Sequence, residues 1–211
     1  MKVCEIFSSI QGESTYAGVP CTFIRMTGCN LRCSYCDTVY AYEEGTELTG
    51  DEIIEKVLAI GLKTVEITGG EPLLQKDVPL LVKGLLDKGY TVLIETNGSQ
   101  DIRGVDKRAV MILDIKTPGS GMADKVMLSN LPFLKPQDEM KFVITGRDDY
   151  EWAKNFIREH PLTKGCTILF SPAFGMLDPR HLSQWILEDR LEVRLNLQLH
   201  KYIYGPDMRG T

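Results

Sequence analysis

The 211 residues predict an α/β fold in which a mostly parallel sheet, backed by helices, curls toward a barrel or an open doubly wound form. Three observations point there. Short apolar runs rich in Val, Ile and Thr alternate along the chain with amphipathic stretches of helical period. Gly and Pro mark brief connections, and no linker, repeat or low-complexity stretch divides the sequence, which reads as one domain over residues 1–211. Polar clusters stand where several of the runs end, at the rim where parallel sheets gather their ligands.

Taken in order, Lys2–Phe7 and Thr22–Met26 read as strands, the second mostly apolar with Arg25 near its end. Thr49-Gly50-Asp51-Glu52 is a capping box, and Ile53, Ile54, Val57 and Leu58 form one face of the helix that it opens. Thr64–Thr68 is the next strand, followed by a helix carrying Val78, Leu81, Val82, Leu85 and Leu86. Thr91–Thr96, Val110–Ile115 and Lys141–Thr145 are β-rich, and Asp149–His160 is a helix around Tyr150, Ala153, Phe156 and Ile157. Strands Thr167–Phe170 and Val193–Leu199 flank a last helix at Pro179–Glu188, with Gln198 and His200 ending the final strand. The rim then collects Thr68 to Pro72, Glu95 to Gly98, Asp114 to Lys116, and Ser171-Pro172.

With 43% hydrophobic and 25% charged residues the composition is globular, which excludes a disordered, collagen-like or coiled-coil chain. The longest apolar run, Ala109 to Leu113, is far short of the ~20 residues that cross a bilayer, so no membrane span is expected. The start of the chain lacks the apolar core of a secretory signal, so the expected compartment is cytoplasmic. A net charge of −5 without a basic run makes nucleic acid an unexpected partner.

Three of the six cysteines fall within eight positions, as Cys29-Asn30-Leu31-Arg32-Cys33-Ser34-Tyr35-Cys36. Structural zinc sites close with four ligands in paired C-x2-C units, and only one such pair exists here, with His160 the nearest histidine in sequence. Three thiolates suit a [4Fe-4S] cluster that leaves one iron open to a ligand. Inert packed thiols fit poorly, because Asn, Arg, Ser and Asp surround the loop. Cys4, Cys21 and Cys166 sit in apolar strand-like stretches and read as buried packing residues.

The C-x3-C-x2-C spacing with Tyr35 before its last cysteine resembles the radical S-adenosylmethionine (SAM) superfamily, as does Gly69-Gly70-Glu71-Pro72 some 33 positions further on. That resemblance implies Cys29, Cys33 and Cys36 as ligands of a [4Fe-4S] cluster whose open iron holds SAM, and a partial (βα) barrel as the fold. It also implies that reductive cleavage of SAM yields a 5′-deoxyadenosyl radical. Phe7 to Ser14, Cys36-Asp37-Thr38, Glu95 to Ser99 and Gln198 to Lys201 are similar, more narrowly, to segments of the 7-carboxy-7-deazaguanine synthases. This likeness runs from Glu5 to Lys201, and the chain's length leaves no room for the accessory domains of other superfamily members.

Residue by residue, the family implies that Ile10, Gln11 and Gly12 line the substrate, that Arg25 pairs its carboxylate, and that Thr68 is a further contact. Thr38 would join a Mg²⁺ site. Gly70 would meet SAM, flanked by Asp114, Ile115 and Lys116, with Ser171, Pro172, Ala173 and Phe174 nearby; Ser171 departs from the family's usual glutamine there, and Ser14 from its usual glycine. The implied reaction turns 6-carboxy-5,6,7,8-tetrahydropterin into 7-carboxy-7-deazaguanine with loss of ammonia, on the route to queuosine and related 7-deazapurines. A flavodoxin or ferredoxin electron donor and a homodimer are the family expectations. Other readings of the same motifs are an activase of a glycyl-radical enzyme and a non-catalytic iron–sulfur or zinc module. Arg25 as a rim salt bridge, His200 bonded to backbone, and Glu71 and Glu13 as structural carboxylates are the plainer readings of those residues; His160 and His181 read as solvated.

Overall fold

The computed structural model describes residues 1–161, 165–206 and 208–210. The chain opens with the antiparallel strands β1 (Lys2–Ile10) and β2 (Pro20–Met26), followed by a two-residue edge strand β3 (Thr46–Glu47). Helix α1 (Gly50–Ile60) leads to β4 (Thr64–Gly69), and α2 (Val78–Asp87) to β5 (Thr91–Thr96). After β6 (Val110–Ile115) and β7 (Glu139–Ile144) come α3 (Arg147–Glu159), β8 (Thr167–Pro172), α4 (Pro179–Glu188), β9 (Arg194–Leu195) and α5 (Leu199–Tyr204). One sheet joins these strands in the order β3-β1-β2-β4-β5-β6-β7-β8-β9, parallel from β2 onward and open at both edges.

Local chemistry accounts for the boundaries. Thr49 accepts from the Glu52 backbone N–H while Glu52 accepts from that of Thr49, so the capping box forms in full, and Gly61 at φ 79° ends α1. Asp178 caps α4, with Pro179 in its first turn. The carboxylate of Asp149 accepts from the Gly119 and Thr145 backbone N–H groups, tying the start of α3 to the loop after β6.

Period-2 alternation divides the sheet into two faces. Ile24, Val65, Ile67, Ile94, Leu113, Phe142 and Phe170 join the buried core beneath the helices. Phe23, Glu66, Thr68, Glu95, Asp114 and Lys141 face the concave side. Helices are absent from the β5–β6 and β6–β7 connections among the described residues; the second carries single 3₁₀ turns instead.

The strand expected over Val193–Leu199 is corrected to the bridge Arg194–Leu195 followed by a helix. Its alternating sequence has a strand's period, and the Asn196 backbone N–H still bonds the Phe170 carbonyl of β8, but that of Leu199 donates to the Gly12 carbonyl at 2.8 Å, so the pairing with β8 stops there and the chain turns into α5. Gln198 and His200 accordingly sit at the start of α5, not at a strand end. Cys21 and Cys166 are buried as expected, but Cys4 is only partly buried, because it lies by the β-bulge in the edge hairpin. His160 is half-buried against the Phe156 ring, which corrects its reading as solvated, whereas His181 is exposed. Among the described residues no helix is long and apolar enough to cross a membrane.

Candidate active site

The concave face encloses a cavity of about 740 Å³. Its upper wall is the loop after β2, carrying Cys29, Cys33 and Cys36, all unpaired thiols. Against it lies the turn after β4. The Gly70 backbone approaches so closely that an added Cβ would stand 2.1 Å from the Gly28 oxygen and 2.8 Å from Cys29 Cβ. The Glu71 backbone N–H donates to that same Gly28 oxygen at 2.7 Å. The Glu71 side chain, fully buried, accepts from Thr96 Oγ1 at 2.8 Å and from the backbone N–H groups of Asn97 (2.7 Å) and Leu73 (3.0 Å). Glu71 is therefore the structural carboxylate that locks the turn to the end of β5.

The wall is chemically suited to an iron–sulfur cluster and a polar ligand beside it. Among the described residues no three His, Cys, Asp or Glu groups gather tightly enough to hold one metal ion. Three thiols on one loop suit a cluster whose irons each take a separate thiolate. Burial pushes the Cys29 and Cys33 thiols up. Tyr35 OH and Asp114 Oδ1, both buried in this wall, have no hydrogen-bond partner among the described residues. Orphaned polar atoms in a cavity are a site for a polar ligand. Lys116 donates to the other Asp114 oxygen at 2.7 Å.

Most sequence-predicted residues meet in this cavity: Ile10, Gln11, Arg25, Thr38, Thr68, Gly70, Asp114, Lys116, and Ser171 to Phe174. Two side positions do not. Ile115 turns its side chain into the buried core, as alternation between Asp114 and Lys116 requires, so only its backbone is available there. Gly12 stands behind the wall, where a Cβ would come within 2.0 Å of His200 Nδ1, so the lack of a side chain lets α5 dock. Arg25 is both a cavity residue and a rim ion pair: its Nε donates to Glu5 Oε1 at 2.7 Å, and Tyr40 OH donates to the same oxygen. The Thr38 hydroxyl donates to Asp37 Oδ1 at 2.8 Å. Ser171, in place of the expected glutamine, accepts from Asn196 Nδ2 at 2.8 Å.

The floor holds two residues that sequence reasoning passed over, Glu66 and Lys141. Lys141 Nζ bridges Glu13 Oε2 (2.6 Å) and Glu95 Oε1 (2.5 Å), while Gln11 Nε2 donates to Glu66. The available signal was a charge on the inward period of an otherwise apolar strand, as in Val65-Glu66-Ile67 and Met140-Lys141-Phe142. The C-terminal segment completes the enclosure. Gln198 Nε2 donates to Glu13 Oε1 at 2.8 Å, Lys201 pairs with Asp37 at 2.5 Å, and Arg209 pairs with Glu44 at 2.7 Å. His200 lines the cavity, and burial pushes its pKa down, so the ring facing the interior is neutral.

Comparison with known proteins agrees with this geometry. Residues 23–113 match the model of the Radical SAM superfamily. The chain is 48% identical to a 7-carboxy-7-deazaguanine synthase of Chlorobaculum tepidum, over 100% of this chain and 97% of the relative. It is 44% identical to one from Koribacter versatilis, over the whole of both. The crystal structure of QueE from Escherichia coli superposes with a TM-score of 0.80 at 24% identity, over 94% of each chain, a likeness of fold.

Proposed function

The chain belongs to the 7-carboxy-7-deazaguanine synthase family of radical SAM enzymes, and from that premise we propose how its own residues serve the family's reaction. The reaction converts 6-carboxy-5,6,7,8-tetrahydropterin to 7-carboxy-7-deazaguanine with release of ammonia, in 7-deazapurine biosynthesis. The observation that carries the proposal is a single cavity with the cysteine loop and glycine turn on one side and a charged floor on the other.

Cys29, Cys33 and Cys36 hold the [4Fe-4S] cluster. Gly70, Asp114, Lys116 and the Ser171 to Phe174 segment hold SAM, with Tyr35 OH and Asp114 Oδ1 as its unspent polar partners. Bound together, cluster and SAM supply the radical that opens the reaction. The protein's part is orientation and exclusion of water. Arg25, held by Glu5, presents its guanidinium to the substrate carboxylate. Thr68, Gln11 and the floor face the flat heterocycle, while Gly12 supports that wall through α5. Thr38, beside Asp37, offers a hydroxyl oxygen to Mg²⁺, a hard cation that prefers oxygen ligands.

A homodimer and a flavodoxin- or ferredoxin-type electron donor complete the proposal, as does a cytoplasmic setting, where six free thiols stay reduced. The full-length family match speaks against a glycyl-radical activase.

The test is anaerobic reconstitution with iron and sulfide, followed by incubation with SAM, dithionite, Mg²⁺ and the carboxytetrahydropterin. Mass spectrometry should find 7-carboxy-7-deazaguanine. SAM cleavage without that product would discard the substrate and revive the activase.

A further inference from the structure

Three carboxylates and one ammonium share the cavity floor: Glu13, Glu66, Glu95 and Lys141. Two of the acids are matched. Lys141 donates to both Glu13 and Glu95; Glu13 also accepts from Gln198 Nε2 (2.8 Å), and Glu95 from Thr68 Oγ1 at 3.1 Å. Glu66, only 3% exposed, meets no cation among the described residues, and its Oε2 accepts from the Gln11 amide alone. The one ammonium is already shared by the two partly exposed acids, and the buried Glu66 beside them has no cation among the described residues to offset its charge, so it keeps its proton. Burial first, and the charge of Glu95 next, hold Glu66 well above the usual carboxylate range, with Glu13 adding to them. Lys141 and Arg25 act the other way, and buried Cys21, which also senses Glu66, is itself pushed up.

The other floor groups are poor proton donors. Burial opposes the Glu13 carboxylate, yet Lys141 keeps its pKa below the usual range. The Lys141 ammonium is held by its two carboxylates well above the lysine range, against its burial. His200 is neutral. An acid in its protonated form in the substrate wall is the remaining source.

This inference rests on the family's reaction, in which one ammonia leaves. A departing amine keeps the carbon–nitrogen bonding pair and must gain a proton. The ring it leaves must lose one from carbon, whose bonding pair becomes the new double bond. We propose that Glu66 is a catalytic residue that gives its proton to the departing nitrogen and, as carboxylate, takes up the proton shed by the ring. The cycle returns Glu66 to its starting form, and nothing outside the substrate is oxidised or reduced.

The experiment compares the parent holoenzyme with E66Q and E66D. Glutamine still bonds Gln11 but carries no transferable proton; aspartate keeps the acid. Product formation should fall about 10²–10⁴-fold in E66Q, with substrate and SAM affinity within a few-fold of the parent, and E66D should recover part of the rate. The parent's rate should decline at high pH as Glu66 ionises, a limb absent from E66Q. In the metal-free protein at neutral pH, the infrared carbonyl band of protonated carboxylic acids should lose intensity in E66Q. An E66Q as fast as the parent with the same pH profile, or an unchanged band, overturns the assignment alone. A parent that makes no product from the pterin overturns the substrate reading and this assignment with it.

Discussion

The closest backbone contact in the site gives a sharp test of how the glycine turn and cysteine loop depend on each other. Gly70→Ala adds one methyl group. The φ of Gly70 is not in the left-handed region, so alanine can adopt the same backbone and the effect is steric alone. The added Cβ would lie 2.1 Å from the Gly28 oxygen and 2.6 Å from its carbonyl carbon, both backbone atoms without a rotamer to change. Relief requires the two loops to part. Overpacking of this kind is worth about 1–3 kcal/mol. Parting also weakens the 2.7 Å bond from Glu71 N–H to Gly28, at about 0.5–1.5 kcal/mol. A combined loss of about 2–4 kcal/mol lowers Tm by about 4–16 °C for a chain of this length. The assay is thermal unfolding of the metal-free protein, with iron uptake and visible absorbance after reconstitution as a second reading, since Cys29 moves with Gly28. Gly104→Ala is the control: a Cβ there meets nothing within 4 Å, and a change within about 0.5 kcal/mol is expected. A G70A protein that melts within about 2 °C of the parent and loads iron equally well would refute the tight coupling of turn and loop.

Cys33→Ala should abolish the visible absorbance of the reconstituted cluster together with SAM cleavage; retention of either removes Cys33 from the ligand set. Arg25→Ala should raise the substrate KM roughly tenfold to a hundredfold, from the loss of a charge-assisted bond of about 1.5–3 kcal/mol; unchanged kinetics would leave Arg25 as the Glu5 ion pair alone. Thr38→Val should keep the cluster and SAM binding but weaken the Mg²⁺ dependence of turnover, and an unaltered Mg²⁺ response would exclude its hydroxyl. For Asp37, burial is outweighed by Lys201, which depresses the carboxyl to about 2, so the pair stabilises the fold above the ordinary carboxylate range and is lost as pH falls through about 2. Because Asp37 is half-exposed, Lys201→Ala should lower stability by at most about 1 kcal/mol at pH 7 and by progressively less toward pH 2, read by urea denaturation; equal loss at both ends would deny the linkage.

The sheet was legible because its strands are buried on both sides and read as apolar runs bounded by turns. Thr91–Thr96 and Val110–Ile115 have the boundaries the sequence predicts, and the neighbouring strands differ from theirs at the ends. Helix α1 was legible for a local reason, the reciprocal bonds of Thr49 and Glu52. The cysteine loop declared itself by spacing alone. What failed locally was decided at long range. Val193 to Leu199 has a strand's alternation, but after the Asn196 bond to Phe170 in β8 the Leu199 backbone N–H bonds Gly12, far away in the chain, and the pairing ends. Ile115 offers the concave face its backbone alone, because a strand presents every second side chain to a cavity.

The floor was illegible for the same reason, and its charge balance shows why. Glu13 and Lys141 are 128 positions apart in the chain and Lys141 and Glu95 are 46 apart, so no window of sequence reveals that one ammonium serves two carboxylates. Lys141 taken alone is an anomaly inside a buried strand, and a lone ionised group there would be expensive. The parallel register of β4 through β7 brings Glu95 and Lys141 together, the loop after β1 adds Glu13, and the three become mutually necessary. Lys141→Met would strand Glu13 and Glu95 without a cation, and protonation of both would then be the cheapest remedy, whereas Glu66→Gln removes an acid that was already neutral. The first change should therefore destabilise the fold more at pH 8 than at pH 5, whereas the second removes a proton that the folded state keeps and the unfolded state sheds above the ordinary carboxylate range, so its effect on stability should turn more favourable from pH 5 to pH 8. Equal pH dependence of the two variants in urea denaturation would contradict the division of roles between a charged triad and a neutral acid.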